Sequence, residues 1–158
     1  MRRFEIISAK EYEKSLRDIC SYKDIEIPTR STKHSAGYDF KSPIDLKLEP
    51  GESKKIPTGI KVCMNEDEYL AIFIRSSMGF KYNIRLCNQV GIVDSDYYNN
   101  PDNEGQIYIK IQNEGNESLI INKGDRFAQG IFMKYLLTDD DSSVNERIGG
   151  FGSTGKGR

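Results

Sequence analysis

The chain has 158 residues and a formal net charge of -1, and its hydrophobic and charged fractions, 37% and 30%, are those of an ordinary soluble protein. This length predicts one domain with its own core, and the near-zero charge argues against a protein held to a nucleic-acid polymer by its overall charge. No apolar run approaches the length of a membrane-spanning helix, and Arg2-Arg3 precede no apolar segment, so neither a membrane protein nor a secreted one is indicated.

Cysteine and histidine are few and scattered. Cys20, Cys63 and Cys87 are odd in number and lack the paired spacing of metal ligands, and His34 is the only histidine. A disulfide framework, a thiolate zinc site and a zinc hydrolase are therefore disfavoured. Unpaired thiols are typical of a reducing compartment, so we expect a cytoplasmic protein.

Short segments of alternating hydrophobicity dominate the chain. One helix is predicted at residues 10–19, where Tyr12, Leu16 and Ile19 share a face. Strands are predicted, in chain order, at residues 4–8, 55–64, 69–74, 86–93, 107–111, 118–121 and 127–137. Many short strands bounded by turn residues indicate an all-β sandwich or barrel.

The C-terminal part differs in composition from the rest. The acidic run at residues 139–143 is expected to be a solvated linker, which divides the chain into a β domain (residues 1–143) and a flexible lid of the same domain (residues 144–158). In residues 149–158, glycines are interspersed with hydroxyl and cationic residues whose donors can surround phosphate oxygens, and Phe151 offers a face for stacking on a base. This composition suggests nucleotide binding, with a disordered glycine-rich terminus as the alternative.

Four internal clusters carry side chains suited to phosphate chemistry. In GIVDSDY (91–97), Asp94 and Asp96 would share one face of a strand, which suits a general base or the ligation of a hydrated cation. RSSMG (75–79) places a guanidinium and two hydroxyls at a strand end, as phosphate binding requires. GDRFAQ (124–129) and AGYDF (36–40) are weaker signals. Each of the four, taken alone, is also compatible with an ordinary turn.

In chain order, AGYDF, RSSMGF, GIVDSDY, GDRFAQ and GGFGSTG resemble the five motifs of the homotrimeric dUTPase family, the pyrophosphatases that hydrolyse dUTP to dUMP and pyrophosphate. The resemblance runs from about residue 28 to the C-terminus. It implies a jelly-roll β-sandwich and a homotrimer with an exchanged C-terminal strand and tail. It also implies sites at the subunit boundaries and Mg²⁺ as the cofactor.

The resemblance implies roles for individual residues. Asp94 falls where the family's catalytic aspartate orients the water that attacks the α-phosphorus, and Asp39 would support Mg²⁺ indirectly, through water. The substrate-binding residues implied by the resemblance are Arg75, Ser76, Ser77, Asn88, Ile92, Val93, Tyr97, Tyr108, Gln129, Arg147, Phe151, Gly152, Ser153 and Thr154.

Within that set, the resemblance divides the work between base, sugar and phosphates. Asn88 and the backbone of Ile92 and Val93, in a tight hairpin from Asn88 to Tyr97, would read uracil. Tyr97 would pack under the deoxyribose and exclude a 2′-hydroxyl. The Arg75-Ser76-Ser77 segment would contact the phosphates, and Phe151 would cap the base while Arg147 reaches the outer phosphates.

The chain departs from the family pattern in three places. Tyr98-Asn99 replaces the usual Arg-Gly and is followed by a polar insertion (residues 100–104), Arg147 lies one residue closer than usual to Phe151, and residues 1–27 are longer than the minimal start.

Two other functions stay open on the sequence. The dCTP deaminase branch of the same fold also carries Arg-Ser-Ser, but it needs a glutamate that the third motif lacks here. A regulatory protein of the kind found among phage relatives would use residues 99–104 to contact a protein partner.

Overall fold

The computed structural model describes residues 1–144 and residue 147, and β-strands make up most of its regular structure. The strands are β1 (Arg3–Ile6), β2 (Tyr38–Lys41), β3 (Leu46–Leu48), β4 (Ser53–Pro57), β5 (Ile60–Cys63), β6 (Glu68–Ile74), β7 (Ile84–Leu86), β8 (Gly91–Asp94), β9 (Tyr108–Asn113), β10 (Leu119–Ile121) and β11 (Arg126–Lys134). The helices are α1 (Ala9–Ser15), α2 (Ser76–Tyr82) and two 3₁₀ helices, Tyr22–Asp24 and Ser95–Tyr97. The predicted all-β architecture is confirmed.

Antiparallel pairing arranges these strands in small sheets around one core. The largest sheet has the order β2-β11-β6-β8 and the next has the order β4-β9-β7, while β1 pairs with β5 and β10 pairs with β3. Side chains from these sheets meet in a single hydrophobic cluster, in which Phe40, Leu70, Ile111 and Phe127 are fully buried. Burial of one such side chain contributes about 1.5–3 kcal/mol, so the shared core holds the loops at the sheet edges in place.

Strand β9 shows how the alternating pattern produces one buried face. Ile109 and Ile111 are buried, whereas Tyr108 is half-buried and Lys110 is exposed. Ile107, directly before the strand, is buried as well. The predicted strand is confirmed, and its register places Tyr108 on the face opposite the core.

Two of the predicted strands are each interrupted by a turn. Residues 55–64 form the end of β4 and then β5, with a turn at Gly59, where φ is +68° and a Cβ would lie 2.7 Å from the Ile25 side chain. Residues 86–93 are divided between β7 and β8, with Gln89 at a φ of +65°. Each turn moves the following strand into a different sheet, a change that alternating hydrophobicity does not reveal.

Helix α1 is shorter than predicted, and helix α2 was not predicted. Helix α1 ends at Ser15 rather than at residue 19, so that Leu16 is buried but Ile19 is half-exposed. Helix α2 occupies residues whose composition predicts a strand end or a turn, and it ends at Asn83 in the left-handed conformation. Within residues 1–144, neither α1 nor α2 is long and apolar enough to cross a membrane.

An ion pair joins the N-terminal segment to the start of β6. Nε of Arg2 donates to both carboxylate oxygens of Glu68, at 2.8 and 2.9 Å, and the N–H of Asn65 donates to the same carboxylate at 3.1 Å. The hydrogen bonds from Arg2 are the main reason that the pKa of Glu68 lies below its usual range. A carboxylate with a lowered pKa in the folded state stabilises the fold at neutral pH, and this contribution is lost as the pH falls through the folded-state pKa.

We therefore expect Glu68→Gln to lower the urea midpoint at pH 7 and to reduce the further loss of stability on acidification below about pH 4. Urea unfolding of both proteins across this pH range measures the effect. Glu13→Gln is the matched control, because the Glu13–Arg17 pair is exposed on both sides and such pairs contribute little. Equal midpoints for the two variants at pH 7 would show that the Arg2–Glu68 contact is not stabilising.

Candidate active site

A cavity of about 640 Å³ lies between the segment that follows β7 and strand β9. Seven of the residues predicted from the sequence line it: Asn88, Ile92, Val93, Asp94, Tyr97, Tyr108 and Arg147. Small-molecule sites usually have volumes of roughly 300–1,000 Å³, so this cavity has the size of a nucleotide pocket.

The base-reading segment is a tight turn followed by β8. The N–H of Val90 donates to the carbonyl of Asn88 at 2.7 Å, and a Cβ on Gly91 would lie 3.0 Å from the Ile72 side chain. Strand β8 pairs with β6 and runs directly into the 3₁₀ helix Ser95–Tyr97. The expectation that residues 88–97 pair with themselves as a hairpin is therefore wrong.

Asp94 and Asp96 share one cationic partner. Asp94 ends β8, Asp96 lies in the following 3₁₀ helix, and the guanidinium of Arg147 contacts both: Nη2 is 2.5 Å from Oδ2 of Asp94 and Nε is 2.7 Å from Oδ1 of Asp96. The Arg147 side chain is 15% exposed, whereas those of Asp94 and Asp96 are about half exposed. The two carboxylates are therefore brought together by contact with the same guanidinium and not by strand alternation, and Asp94 lines the cavity.

The hydroxyl group of Tyr97 is held by two hydrogen bonds. The hydroxyl donates to the carbonyl of Gln106 at 2.9 Å and accepts from Nδ2 of Asn103 at 2.8 Å. Burial raises the pKa of Tyr97, so the phenol is neutral at physiological pH. The ring lines the cavity, where it can pack against a sugar.

Tyr108 lies on the neighbouring wall of the cavity. Nε2 of Gln106 donates to its hydroxyl at 3.0 Å, and the ammonium group of Lys55 is 5.0 Å from the centre of its ring. Burial also raises the pKa of Tyr108. Lys55 and Lys110 line the cavity too, and neither was predicted, because a lysine on the outer face of a strand is normally only a solvated residue.

A second group of predicted residues gathers around Asp39. Nε of Arg75 lies 3.1 Å from Oδ1 of Asp39 and Nη1 of Arg126 lies 3.3 Å from Oδ2, while the hydroxyl of Ser31 donates to the same oxygen. Asp39 is buried, so the pairing compensates for removal of the carboxylate from water. Two guanidinium groups are thereby held close together, as phosphate binding requires.

Gln129 and the two serines complete this second group. Gln129 lies opposite Asp39 in the β2–β11 register. A Cβ on Gly37 would be 2.3 Å from its Oε1, so the glycine allows this side chain to lie directly against the backbone. Ser76 and Ser77 are exposed in the first turn of α2, directly after Arg75.

The two groups of residues are far apart in one chain. In the largest sheet, Asp94 is paired with Tyr69 of β6, whereas Gln129, the partner of Asp39, is paired with Phe73 of β6. Tyr69 and Phe73 are four residues apart, so Asp94 and Asp39 are offset by about 13 Å along the strand direction. Strand β2, which carries Asp39, is three strand spacings from β8, or about 14 Å. Asp94 and Asp39 are therefore separated by about 20 Å, and no single phosphorus atom can contact both groups within one chain.

The residues present fit Mg²⁺ only as a companion of a phosphate ligand. Within the described part of the chain, no three His, Cys, Asp or Glu side chains are grouped so as to hold a metal ion. Both oxygens of Asp39 face guanidinium groups, and one oxygen of Asp94 contacts Arg147, whereas the other oxygen of the half-exposed Asp94 side chain is of the kind that Mg²⁺ prefers. Because Mg²⁺ commonly keeps its waters and binds substrate phosphates, this donor set suits a cation that arrives with the triphosphate.

Four predicted substrate-binding residues, Phe151, Gly152, Ser153 and Thr154, lie outside the described residues. The proposed division at residue 143 also falls where the description ends, and these expectations remain predictions.

The sequence analysis missed a polar network behind the cavity. Asn100, Asn103 and Gln106 are buried, although the composition of residues 100–104 predicts a polar surface insertion. The useful signal was the glycine that ends the insertion. Gly105 has a φ of +82°, and a Cβ there would lie 2.5 Å from the carbonyl oxygen of Tyr97, which marks a close return of the chain.

Comparison with known proteins decides the family. The family model for dUTPase matches residues 23–155. The chain belongs to the dUTPase family. This match confirms the resemblance inferred from the five motifs. It also confirms the prediction that the protein is an enzyme, a dUTPase.

Individual relatives agree with this family. The deoxyuridine 5′-triphosphate nucleotidohydrolase of Lactococcus lactis subsp. lactis (strain IL1403) is 48% identical over 141 residues, which cover 87% of this chain and 94% of the relative. That of Laribacter hongkongensis (strain HLHK9) is 37% identical over 137 residues, covering 82% and 88%.

Solved structures confirm the jelly-roll fold of the dUTPase-family chain. The crystal structure of the dUTPase from Streptococcus mutans has a TM-score of 0.72 and 36% identity, with 87% of this chain and 98% of the other covered. The dUTPase from phage phi11 of S. aureus has a TM-score of 0.68 and 21% identity, with 93% and 97% covered, and shows the shared fold.

Proposed function

We propose that this chain hydrolyses dUTP to dUMP and pyrophosphate by attack of water on the α-phosphorus, with Asp94 orienting that water. The observation that carries the proposal is the cavity of about 640 Å³, which brings Asn88, Asp94 and Tyr97 together. An uncharged hydrogen-bonding side chain, a carboxylate and an aromatic ring are the groups needed for a base, an attacking water and a sugar, respectively.

Asp94 is the proposed general base. As the new P–O bond forms, the attacking water gives its proton to the carboxylate, and pyrophosphate leaves with the electron pair of the bond that breaks. The half-exposed carboxylate can hold a water while one of its oxygens is hydrogen-bonded to Arg147. When substrate is bound, we propose that Arg147 turns from the two carboxylates to the outer phosphates.

Base and sugar selection would take place in the same cavity. Asn88 and the backbone at Ile92 and Val93 are proposed to read uracil and to leave no space for the methyl group of thymine. The doubly hydrogen-bonded Tyr97 is proposed to lie under the deoxyribose and to exclude a 2′-hydroxyl by steric conflict. Steric exclusion is needed because a missing methyl contact alone changes binding by only about 1–3 kcal/mol.

The phosphates would be bound by the second group. Arg75, Ser76, Ser77 and Gln129 are proposed to contact the triphosphate, and the tail residues predicted from the sequence are proposed to close over it. Mg²⁺ bound to the triphosphate neutralises charge that develops on the pyrophosphate. The Asp94 carboxylate, which lines the cavity, would accept hydrogen bonds from the waters of this cation, and Asp39, which positions Arg75 and Arg126, is proposed to support it indirectly.

We further propose that the chain works as a homotrimer with its sites at the subunit boundaries and its C-terminal tail exchanged. The separation of about 20 Å between Asp94 and Asp39 supports this, because the two groups can meet only if they come from different copies. Large apolar side chains that a single chain leaves exposed, such as Phe80, Ile120 and Leu136, provide surface for such contacts.

The test is pyrophosphate release from dUTP, dCTP, dTTP and UTP, each with Mg²⁺ and with a chelator. With Mg²⁺ present, we expect turnover of dUTP to exceed that of dCTP, dTTP and UTP by at least about 100-fold, because base and sugar are both selected. The chelator is expected to lower turnover of dUTP, because it removes the cation that would neutralise charge on the pyrophosphate. Comparable rates with dTTP or UTP would contradict the proposed selection, and deamination of dCTP would favour the dCTP deaminase alternative.

A regulatory role through a protein partner has weaker support. One structural neighbour is the dUTPase of Staphylococcus bacteriophage 80alpha, whose structure carries the statement that phage dUTPases control transfer of virulence genes. It is only 21% identical to this chain. Asn100 and Asn103, in the insertion that would form the contact, are buried in their own chain. Asn99, Pro101 and Asp102 are exposed, so only part of the insertion is accessible to a partner.

We also propose a cytoplasmic location. Cys20, Cys63 and Cys87 are free thiols, which suits a reducing compartment. Recovery of the protein from an extracellular fraction of its source would contradict this.

A further inference from the structure

Residues 99–105, which we call the asparagine loop, are tied to helix α1 and to the wall of the cavity. Oδ1 of Asn100 accepts the N–H groups of Asp102 and Asn103, and Nδ2 of Asn100 donates to Oδ1 of Asn103 at 2.8 Å. Both asparagines are buried. These bonds fold the loop on itself and fix the Asn103 amide in one orientation.

The free end of that amide points to the cavity wall. With Oδ1 of Asn103 occupied by Asn100 and by the N–H of Gly105, its Nδ2 donates to the hydroxyl of Tyr97 at 2.8 Å. The hydroxyl of Tyr97 in turn donates to the carbonyl of Gln106 at 2.9 Å. The phenol therefore has one hydrogen-bonding arrangement, with its proton directed at Gln106.

Helix α1 supports the same assembly from behind. Nε2 of Gln106, a fully buried side chain, donates to the hydroxyl of Ser15 at 2.9 Å and to that of Tyr108 at 3.0 Å. At the N-terminal end of the helix, the Ser8 N–H donates to Glu104 at 3.0 Å. Near the C-terminal end, the Lys14 ammonium donates to the carbonyl of Asp102. The two parts of the chain that depart from the family pattern thus pack against each other and against both tyrosines of the cavity.

We propose that Asn103 is a positioning residue for the discrimination between deoxyribose and ribose, acting through the hydroxyl of Tyr97. This rests on the proposed function, in which Tyr97 excludes the 2′-hydroxyl. Exclusion by contact works only if the ring cannot move aside, and displacements of about 1 Å are enough to change rates by large factors. The Asn103 amide holds the ring against such a displacement.

The experiment compares kcat/KM for dUTP with kcat/KM for UTP in four variants: Asn103→Ala, Tyr97→Phe, the double variant and Asp102→Ala. In Asn103→Ala we expect kcat/KM for UTP to rise and the dUTP/UTP ratio to fall by about tenfold or more. Asp102→Ala is the matched control in the same loop. The Asp102 side chain is exposed, and the hydrogen bonds of this residue to Asn100 and Lys14 are made by its backbone, which the substitution retains. Its ratio is expected to stay within about twofold of the unmodified chain.

The double variant separates positioning from general stability. If Asn103 acts through the Tyr97 hydroxyl, Asn103→Ala changes the ratio no further once Tyr97→Phe has removed that hydroxyl. A lower melting temperature with an unchanged dUTP/UTP ratio, or equal and additive changes in the double variant, would overturn the proposal. If Asn103→Ala does not fold, Asn103→Asp takes its place, because it keeps the oxygen that accepts from Asn100 and Gly105 and removes only the Nδ2 donor to Tyr97.

Failure of the proposed function gives a different result. If the unmodified chain releases no pyrophosphate from dUTP, both the function and this inference fall. If it turns over dUTP and rejects UTP, but Asn103→Ala and Tyr97→Phe reject UTP equally well, only the role of Asn103 is overturned.

Discussion

Replacing Asp94 with asparagine is expected to lower kcat for dUTP by about 10²–10⁴-fold, the usual contribution of a general base. Asparagine keeps the shape of the side chain and can still accept a hydrogen bond from Arg147, but its amide cannot take the proton of the attacking water. Steady-state pyrophosphate release with saturating dUTP and Mg²⁺ measures the effect. KM should change much less than kcat, because the proton is transferred only in the transition state.

Asp96→Asn is the control for the change in charge. Asp96 contacts the same guanidinium and is exposed to the same extent, yet it is not the proposed base. Its loss should cost less than about fivefold in kcat, as expected for an exposed ion pair. Equal losses in the two variants would mean that the pair acts by holding Arg147, and rapid turnover by Asp94→Asn would remove Asp94 from the mechanism.

Two inactive variants are expected to restore activity when they are assembled together. If Asp94 of one copy and Arg75 of another form one site, a random 1:1 mixture of Asp94→Asn and Arg75→Ala chains contains about a quarter of sites with both residues intact. Each variant alone should retain about 1% of activity or less, since a lost base or a lost phosphate donor costs at least about 10². Activity after joint refolding therefore rises from this background to about a quarter of that of the unmodified chain.

The matched control uses two defects in the same cavity. Asn88 and Asp94 line one pocket of one chain, so a mixture of Asp94→Asn and Asn88→Ala contains no intact pocket and should stay inactive. If the Asp94→Asn and Arg75→Ala mixture also stays inactive although both chains fold and assemble, the two groups of residues do not share a site across a boundary.

Much of the fold could be predicted from the sequence because its strands bury one face. Ile107, Ile109 and Ile111 alternate with polar residues, and all three are buried. Helix α2 was missed because Arg75-Ser-Ser-Met-Gly79 is rich in residues typical of turns, and the helix depends on its neighbours more than on propensity. Asn83, in the left-handed conformation at its end, is a stop signal that the sequence did contain.

The candidate site was predictable to the extent that its residues lie in short local motifs. Asp94, Tyr97 and Asn88 lie within ten residues of one another, and they line one cavity. The proposed role of Asn103 and the contact between Arg147 and Asp94 could not be obtained in this way. The amide of Asn103 is oriented by a loop that closes on itself, and Arg147 meets Asp94 across 53 residues of chain. Such contacts exist only after the chain has folded.

Glu104 and Gln106 connect the asparagine loop to opposite ends of helix α1, through Ser8 and Ser15. Removal of helix α1 would take the Ser15 hydroxyl from the fully buried amide of Gln106 and the Ser8 N–H from the carboxylate of Glu104. We therefore expect the asparagine loop and helix α1 to be present together or absent together in a relative. Among relatives, a shortened N-terminus should accompany a shortened loop, even though about 90 positions of chain separate these segments.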